Sequence, residues 1–131
     1  MLAGGAIAWS SKRQPSTALS TMESEYMAAA HATVEATWLR YLFDELGFTQ
    51  TAPTDLFCDN EPAITISRDS TYAGRSRHIH IHHHLVREKV EANTIELTYV
   101  PSADNTADVF TKALGRPLFD KFSYQLGLMA H

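Results

Sequence analysis

The stretch from Thr21 to Leu46 constrains the chain most, because it reads as one long amphipathic helix that must bury a face. Tyr26, Ala30, Val34 and Trp38 recur at every fourth position, and Met27, Tyr41 and Leu42 widen the stripe. Ser20-Thr21-Met22-Glu23 spells a capping box, in which Ser20 accepts from the first turn and Glu23 reaches back. Gly47 supplies the stop. A polar loop from Thr49 to Thr54 with Pro53 leads into Asp55–Asp59 (DLFCD), a short apolar strand ending in a carboxylate. Glu61-Pro62 opens a short helix carrying Ala63, Ile64 and Ile66, since proline is tolerated in a first turn. Arg68 to Arg77 reads as a loop. A second long helix covers Ile79–Glu91, with Ile81, Leu85 and Val90 inward and Asn93 at its end. Thr94–Val100 (TIELTYV) alternates and is β-branched, a strand. After a turn at Pro101–Asp104, helices are expected over Asn105–Leu114 and Pro117–Leu128. Ahead of the long helix, Gly4-Gly5 reads as a turn, Ala6–Lys12 as a strand, Gln14-Pro15 as a break and Thr17–Leu19 as a short extended piece. Strand, helix, strand, helix, helix, strand, helix is the order of an α/β layered fold.

The 131 residues suit one domain, 1–131, with no internal repeat and no dividing linker. A hydrophobic share of 44% supports a core, and 20% charged residues is a globular composition rather than a disordered one. The net charge of -4 and pI of about 5.9 lack the basic excess of a dedicated nucleic-acid binder. Any contact with nucleic acid must therefore use local basic patches or bound metal ions. The single cysteine, Cys58, excludes an internal disulfide and favours an intracellular setting, cytoplasm or nucleus. No stretch approaches a membrane span, and the apolar run before the first basic residues is the wrong order for a secretory signal. Trp9 and Trp38 read as core rather than stacking platforms. Cys58 reads as a small buried hydrophobe.

Three carboxylates stand out by position. Glu25 lies in the first turns of the long helix, Asp59 ends the short strand, and Asp108 lies in the first turn of the helix after Pro101–Asp104. Strand C-termini and helix N-termini of an α/β sheet converge on one edge, where sites usually form. Carboxylates meeting there can hold Mg²⁺, which prefers oxygen ligands. Two such ions can position a water and stabilise the leaving oxygen in phosphodiester hydrolysis. The residues alone leave a plainer reading open, since a carboxylate at a helix start suits the helix dipole and one at a strand end is a common turn residue.

The surrounding words narrow this. AIAWSSKRQPSTALSTMESEYMAA, LFCDNEPAI and SRHIHIHHHLVREKVEANTIELTYVPSADNTADVFTKAL each resemble a signature block of the ribonuclease H domain that ends copia-type retrotransposon polyproteins. The likeness runs from Gly4 to about Leu128, with blocks in the family's order and spacing. It implies a ribonuclease H-like mixed sheet with flanking helices. It also implies that Glu25 in ESEYMAA, Asp59 in CDN and Asp108 in NTADVFTK are the catalytic, metal-binding carboxylates. In the family they hold two divalent ions, Mg²⁺ or Mn²⁺, and cut the RNA strand of an RNA–DNA hybrid, leaving a 3′-hydroxyl and a 5′-phosphate. The family pattern opens with a DADWAG-like strand carrying a further aspartate, and a second strand, before the GGAIAWSS-like block. Here Met1-Leu2-Ala3 stands directly ahead of Gly4-Gly5. The expectation is a fold lacking the first two strands, with hydrolysis weak or lost. The strand ending at Asp59 would then need a new neighbour: the Ala6–Lys12 strand moved inward, a second copy forming a homodimer, or the remainder of a longer protein.

Five of the seven histidines, His78, His80, His82, His83 and His84, fall in RHIHIHHH, where the family reads closer to KHIDIRYHFIRE. His78 and His84 match that pattern; His80, His82 and His83 depart from it. On a helix, His78/His82 and His80/His84 are i,i+4 pairs. Such pairs can bind zinc or another transition metal, or act as acid and base near neutral pH; a solvated helix face remains the plainer alternative. The run also motivates a repurposed domain, a small enzyme of another class or a binding or assembly module. Arg75, Arg77, Arg87 and Lys89 flank the histidines and suit either phosphate contact or a solvated, ion-paired face.

Overall fold

In the computed structural model the described residues are 4–11, 21–71 and 77–128, the side chains of 77–79 excepted. They divide into two compact units, Ser16–Pro101 and the pairing of Met1–Pro15 with Ser102–His131.

The larger unit holds helix α1 (Thr21–Glu45), strand β1 (Thr54–Cys58), helices α2 (Glu61–Arg68) and α3 (Arg77–Glu91), and strand β2 (Ile95–Tyr99). The strands pair in parallel, Thr54 opposite Ile95 and Cys58 opposite Tyr99. Parallel neighbours cannot be joined by a hairpin, so the connection must cross over, and α2 and α3 form that crossover. The ladder begins where the Thr54 N–H donates to the Thr94 carbonyl and ends where the Val100 N–H donates to the Cys58 carbonyl, both at 3.0 Å. Helix α1 packs on α3, α2 and β1. The core gathers Tyr26, Ala30, Val86, Ile95 and Leu97 with Cys58, Ala63 and Ile64. Each large side chain fully removed from water there contributes about 1.5–3 kcal/mol.

The ends of the helices follow the local chemistry closely. Asn60 caps α2, its Oδ1 accepting from the Ala63 N–H at 3.0 Å, with Pro62 in the first turn. Helix α1 stops at Gly47, whose φ is 83°; the Gly47 N–H reaches the Asp44 carbonyl and the Phe48 N–H the Phe43 carbonyl. Asn93 ends α3 in the same left-handed conformation, φ 55°, with the Thr94 N–H returning to the Lys89 carbonyl. Both are Schellman closures that satisfy the last carbonyls. The Ser20 half of the expected capping box lies outside the described residues, while Glu23 is buried.

The inward face of α1 differs from the expected stripe. Tyr26 and Ala30 are buried, but Val34 is 52% and Trp38 57% exposed, and Tyr41 and Leu42 are exposed too. At 3.6 residues per turn each step of four overshoots a full turn by about 40°, so a strict four-residue recurrence winds off the buried side. The buried line follows Tyr26, Ala30 and Thr33 instead, with the Thr33 hydroxyl donating to the Ala29 carbonyl at 2.8 Å. On α3 the same correction applies: Ile81 is exposed, and His83 and Val86 take the interior.

In the smaller unit, the expected Ala6–Lys12 strand is not formed over 6–11. An isolated bridge at Gly5 and the Ala6 N–H donating to the Leu126 carbonyl at 3.0 Å take its place. No ladder partner lies beside it among the described residues, and an unpaired strand has nothing to satisfy its backbone. Trp9, read as core, is 69% exposed. The expected Asn105–Leu114 α-helix is a single 3₁₀ turn, Thr106–Phe110, preceded by another at Ser102–Asp104 where a turn was expected. The Asn105 side chain accepts from the Ala107 N–H and the Asp108 N–H returns to the Asn105 carbonyl, a tight local closure that asparagine offers in competition with the helix. Helix α4 (Arg116–Gln125) buries Phe122 and ends at Gly127, φ 69°, where a Cβ would overlap the Gly4 carbonyl.

Arg40 ties α1 to the loop that leads into β1. Arg40 donates to the Gln50 carbonyl at 2.7 Å, the Ala52 carbonyl at 2.8 Å and the Thr54 hydroxyl at 3.0 Å. Arg40→Ala is expected to lower unfolding free energy by about 1–3 kcal/mol in urea titrations. A loss below ~0.5 kcal/mol, the range of ordinary surface changes, would show that the loop is held by other contacts.

Candidate functional site

The C-terminal end of β1 is where the chain concentrates charge against a buried group. Cys58 is the last residue of the strand and buried; Asp59 follows it directly, and Asn60 then caps α2. Asp59 therefore sits on a backbone fixed on one side by the ladder and on the other by a capped helix. Glu25 lies on the first turns of α1, beside the buried Tyr26. Both carboxylates are half-buried, and both act on the Cys58 thiol. Burial pushes that thiol up, a backbone hydrogen bond at Asn60 opposes this, and the negative charges of Glu25 and Asp59 push it up further. Both carboxylates thus lie within Coulombic reach of the Cys58 sulfur. The third expected carboxylate, Asp108, belongs to the smaller unit. There it sits in the Thr106–Phe110 turn and accepts from Lys112 Nζ at 2.9 Å. Among the described residues no group of three or more His, Cys, Asp or Glu is arranged to hold a metal ion.

The histidine run divides by direction. His83 is 1% exposed. Its Nε2 lies 3.0 Å from the Ile66 carbonyl, and because a carbonyl only accepts, this contact assigns a proton to Nε2. Its ring stacks on Tyr26, centroids 5.9 Å apart. His80 and His84 are exposed, with ring centroids 4.5 Å apart, the i,i+4 pair expected from the spacing. The His84 imidazole is held below its ordinary value by desolvation and then by the neighbouring His80, Arg87 and His83. His82 faces His31 of α1, centroids 6.0 Å apart. The side chain of His78, and with it the His78/His82 pair, lies outside the described residues.

The basic cluster is described at two of its four positions. Arg87 Nε pairs with Glu91 at 3.3 Å, and the Arg87 guanidinium donates to the Ser70 carbonyl at 3.2 Å. Lys89 lies 3.5 Å from Glu88. Arg75 and the Arg77 side chain lie outside the described residues. Sequence reasoning missed two participants: His31, which only the packing of α1 on α3 brings to His82, and Cys58 as the group on which Glu25 and Asp59 both act. The position of Cys58 directly before Asp59 was the available signal for the second.

A mixed α/β chain with this rim has its relatives among retrovirus-related Pol polyproteins of plant transposons. Over 125 residues, 95% of the chain, it is 37% identical to the Pol polyprotein from transposon TNT 1-94 of Nicotiana tabacum. It is 34% identical over 122 residues to that from transposon RE1 of Arabidopsis thaliana, and 32% over 123 residues to that from RE2 of the same plant. The chain spans 8–9% of the length of these polyproteins. A shorter stretch of 38 residues, 29% of the chain, is 55% identical to the secreted RxLR effector protein 161 of Plasmopara viticola, covering 27% of that protein. No protein-family model and no solved structure matches the chain. The homology supports a retrotransposon-derived domain, and the copia-type origin implied by the motifs fits these relatives.

His83→Ala is expected to destabilise the chain by about 2–4 kcal/mol, through the cavity it leaves and the lost hydrogen bond. His80→Ala, one turn away on the exposed face, is expected to stay within ~0.5 kcal/mol. Equal losses in urea titrations would refute the division of the run into buried and solvated members.

Proposed function

We propose that the chain is a ribonuclease H-type domain whose Glu25 and Asp59 hold a divalent cation for hydrolysis of RNA in an RNA–DNA hybrid. The observation that carries this reading is that Glu25, half-buried in the first turns of α1, and Asp59, half-buried at the end of β1, stand on two elements packed against each other. The homology to Pol polyproteins over nearly the whole chain supports it.

The donor set suits Mg²⁺ or Mn²⁺. Hard cations of this kind take carboxylate oxygen, and Mg²⁺ is commonly bound by one or two carboxylates with water and substrate phosphates filling the remaining positions. A raised thiol stays protonated at neutral pH, which keeps Cys58 from competing as a soft ligand. When bound, the ion would activate a water and offset charge on the leaving oxygen. The protein's part is placement. The β1 ladder and the Asn60 cap hold the Asp59 backbone, and the Tyr26 anchor holds the Glu25 turn.

Mn²⁺ titration of the intact chain, followed by calorimetry, tests the reading together with cleavage of a labelled hybrid in Mg²⁺ or Mn²⁺. Asp59→Asn and Glu25→Gln are each expected to weaken Mn²⁺ binding by roughly tenfold or more and to remove whatever metal-dependent cutting the parent chain shows. The same variants should lower the Cys58 thiol pKa, measured by the pH dependence of its alkylation, because each removes a negative charge. Mn²⁺ binding unchanged in both variants would overturn the proposal.

A further inference from the structure

A second constellation, made of nitrogen rather than oxygen, stands on the solvent side of α3. Burial of His83 and Val86 fixes the rotation of this helix, which leaves His80 and His84 exposed one turn apart. Their ring centroids are 4.5 Å apart and their planes meet at 51°. Two imidazoles sharing one ion through nitrogens at ~2.0 Å place their ring centres about 4.5–5.2 Å apart for ligand angles of about 90–109°. The observed spacing falls at the right-angle end of that range, the angle preferred by square-planar and octahedral ions.

The geometry points to a two-histidine site at His80 and His84 for a first-row transition-metal dication, Cu²⁺ ahead of Ni²⁺ and Zn²⁺, with water in the remaining positions. The order follows from the intrinsic affinities of imidazole for these ions. Both ligands sit on adjacent turns of one helix, so no loop has to be ordered on binding. Arg87, the nearby permanent cation, is engaged by Glu91 and the Ser70 carbonyl. The site is chemically distinct from the rim at Asp59, because nitrogen donors select Cu²⁺, Ni²⁺ and Zn²⁺ where carboxylates select Mg²⁺ and Mn²⁺. The nearest rival, His31 with His82, has its rings 6.0 Å apart and spans two helices.

Calorimetric titration of the intact chain with Cu²⁺, in saturating Mg²⁺ to occupy oxygen sites, decides the matter. The expected result is one ion per chain, with affinity reduced at least ~tenfold in His80→Gln and in His84→Gln, and unchanged in His31→Gln. Circular dichroism verifies that each variant is folded, as exposed positions lead one to expect. As an independent measurement, Cu²⁺ should raise the melting temperature of the parent chain but not that of His80→Gln, since the ion staples one turn of α3. Unchanged affinity in both His80→Gln and His84→Gln overturns the site, and so does an equal loss in His31→Gln.

Discussion

Three helices of the larger unit meet on one imidazole. His83 of α3 donates through Nε2 to the Ile66 carbonyl of α2 while its ring lies on Tyr26 of α1. The Ile66 carbonyl also accepts from the Asp69 N–H that closes α2, so the histidine is tied to the end of that helix through an atom already fixed in place. Because a polar ring in a core is costly unless its hydrogen bonds are made, this arrangement admits one rotation of α3. That rotation sends Val86 inward and His80 and His84 outward. Through Tyr26 it also sets the first turns of α1, where Glu25 lies.

The punctuation of the helices was legible in the sequence, because it depends on residues a few positions apart. Gly47 and Asn93 close α1 and α3 by left-handed backbone that few other residues adopt readily, and Pro62 marks the first turn of α2. The two strands were legible from β-branched alternation at Thr94–Val100 and the short apolar run at Asp55–Asp59, though not their parallel pairing. What failed were judgements of direction. The fourfold recurrence of Tyr26, Ala30, Val34 and Trp38 marks a helix correctly, yet the burial follows Thr33 rather than Val34, since the partner surfaces lie far away in sequence. The histidine run shows the same limit. Neighbouring residues of one type carry no mark of which one faces in, and the answer rests with Tyr26 and Ile66. The Ala6–Lys12 segment had the right pattern for a strand, but a pattern does not supply a neighbour with free backbone groups.

The candidate site divides along the same line. Glu25 and Asp59 were singled out by their places at a helix start and a strand end and by family-like words around them, and the charge of each raises the Cys58 thiol. That effect depends on how α1 packs against β1, which no local window contains. The homology to Pol polyproteins covers nearly the whole chain and less than a tenth of each of those three proteins. Oxygen donors at one place and nitrogen donors at another would let the two classes of ion be told apart by ligand type alone.

The parallel alignment of β1 with β2 carries a temporal consequence. Neither strand can gain its partner until everything between Cys58 and Ile95, both crossover helices included, has emerged. At roughly 5–20 residues per second of synthesis, β1 waits a few seconds with its backbone open. During that interval Leu56 and Phe57 are available to any passing strand edge, and the rim at Asp59 does not yet exist. A nascent chain is thus most open to wrong pairing just before β2 leaves the ribosome.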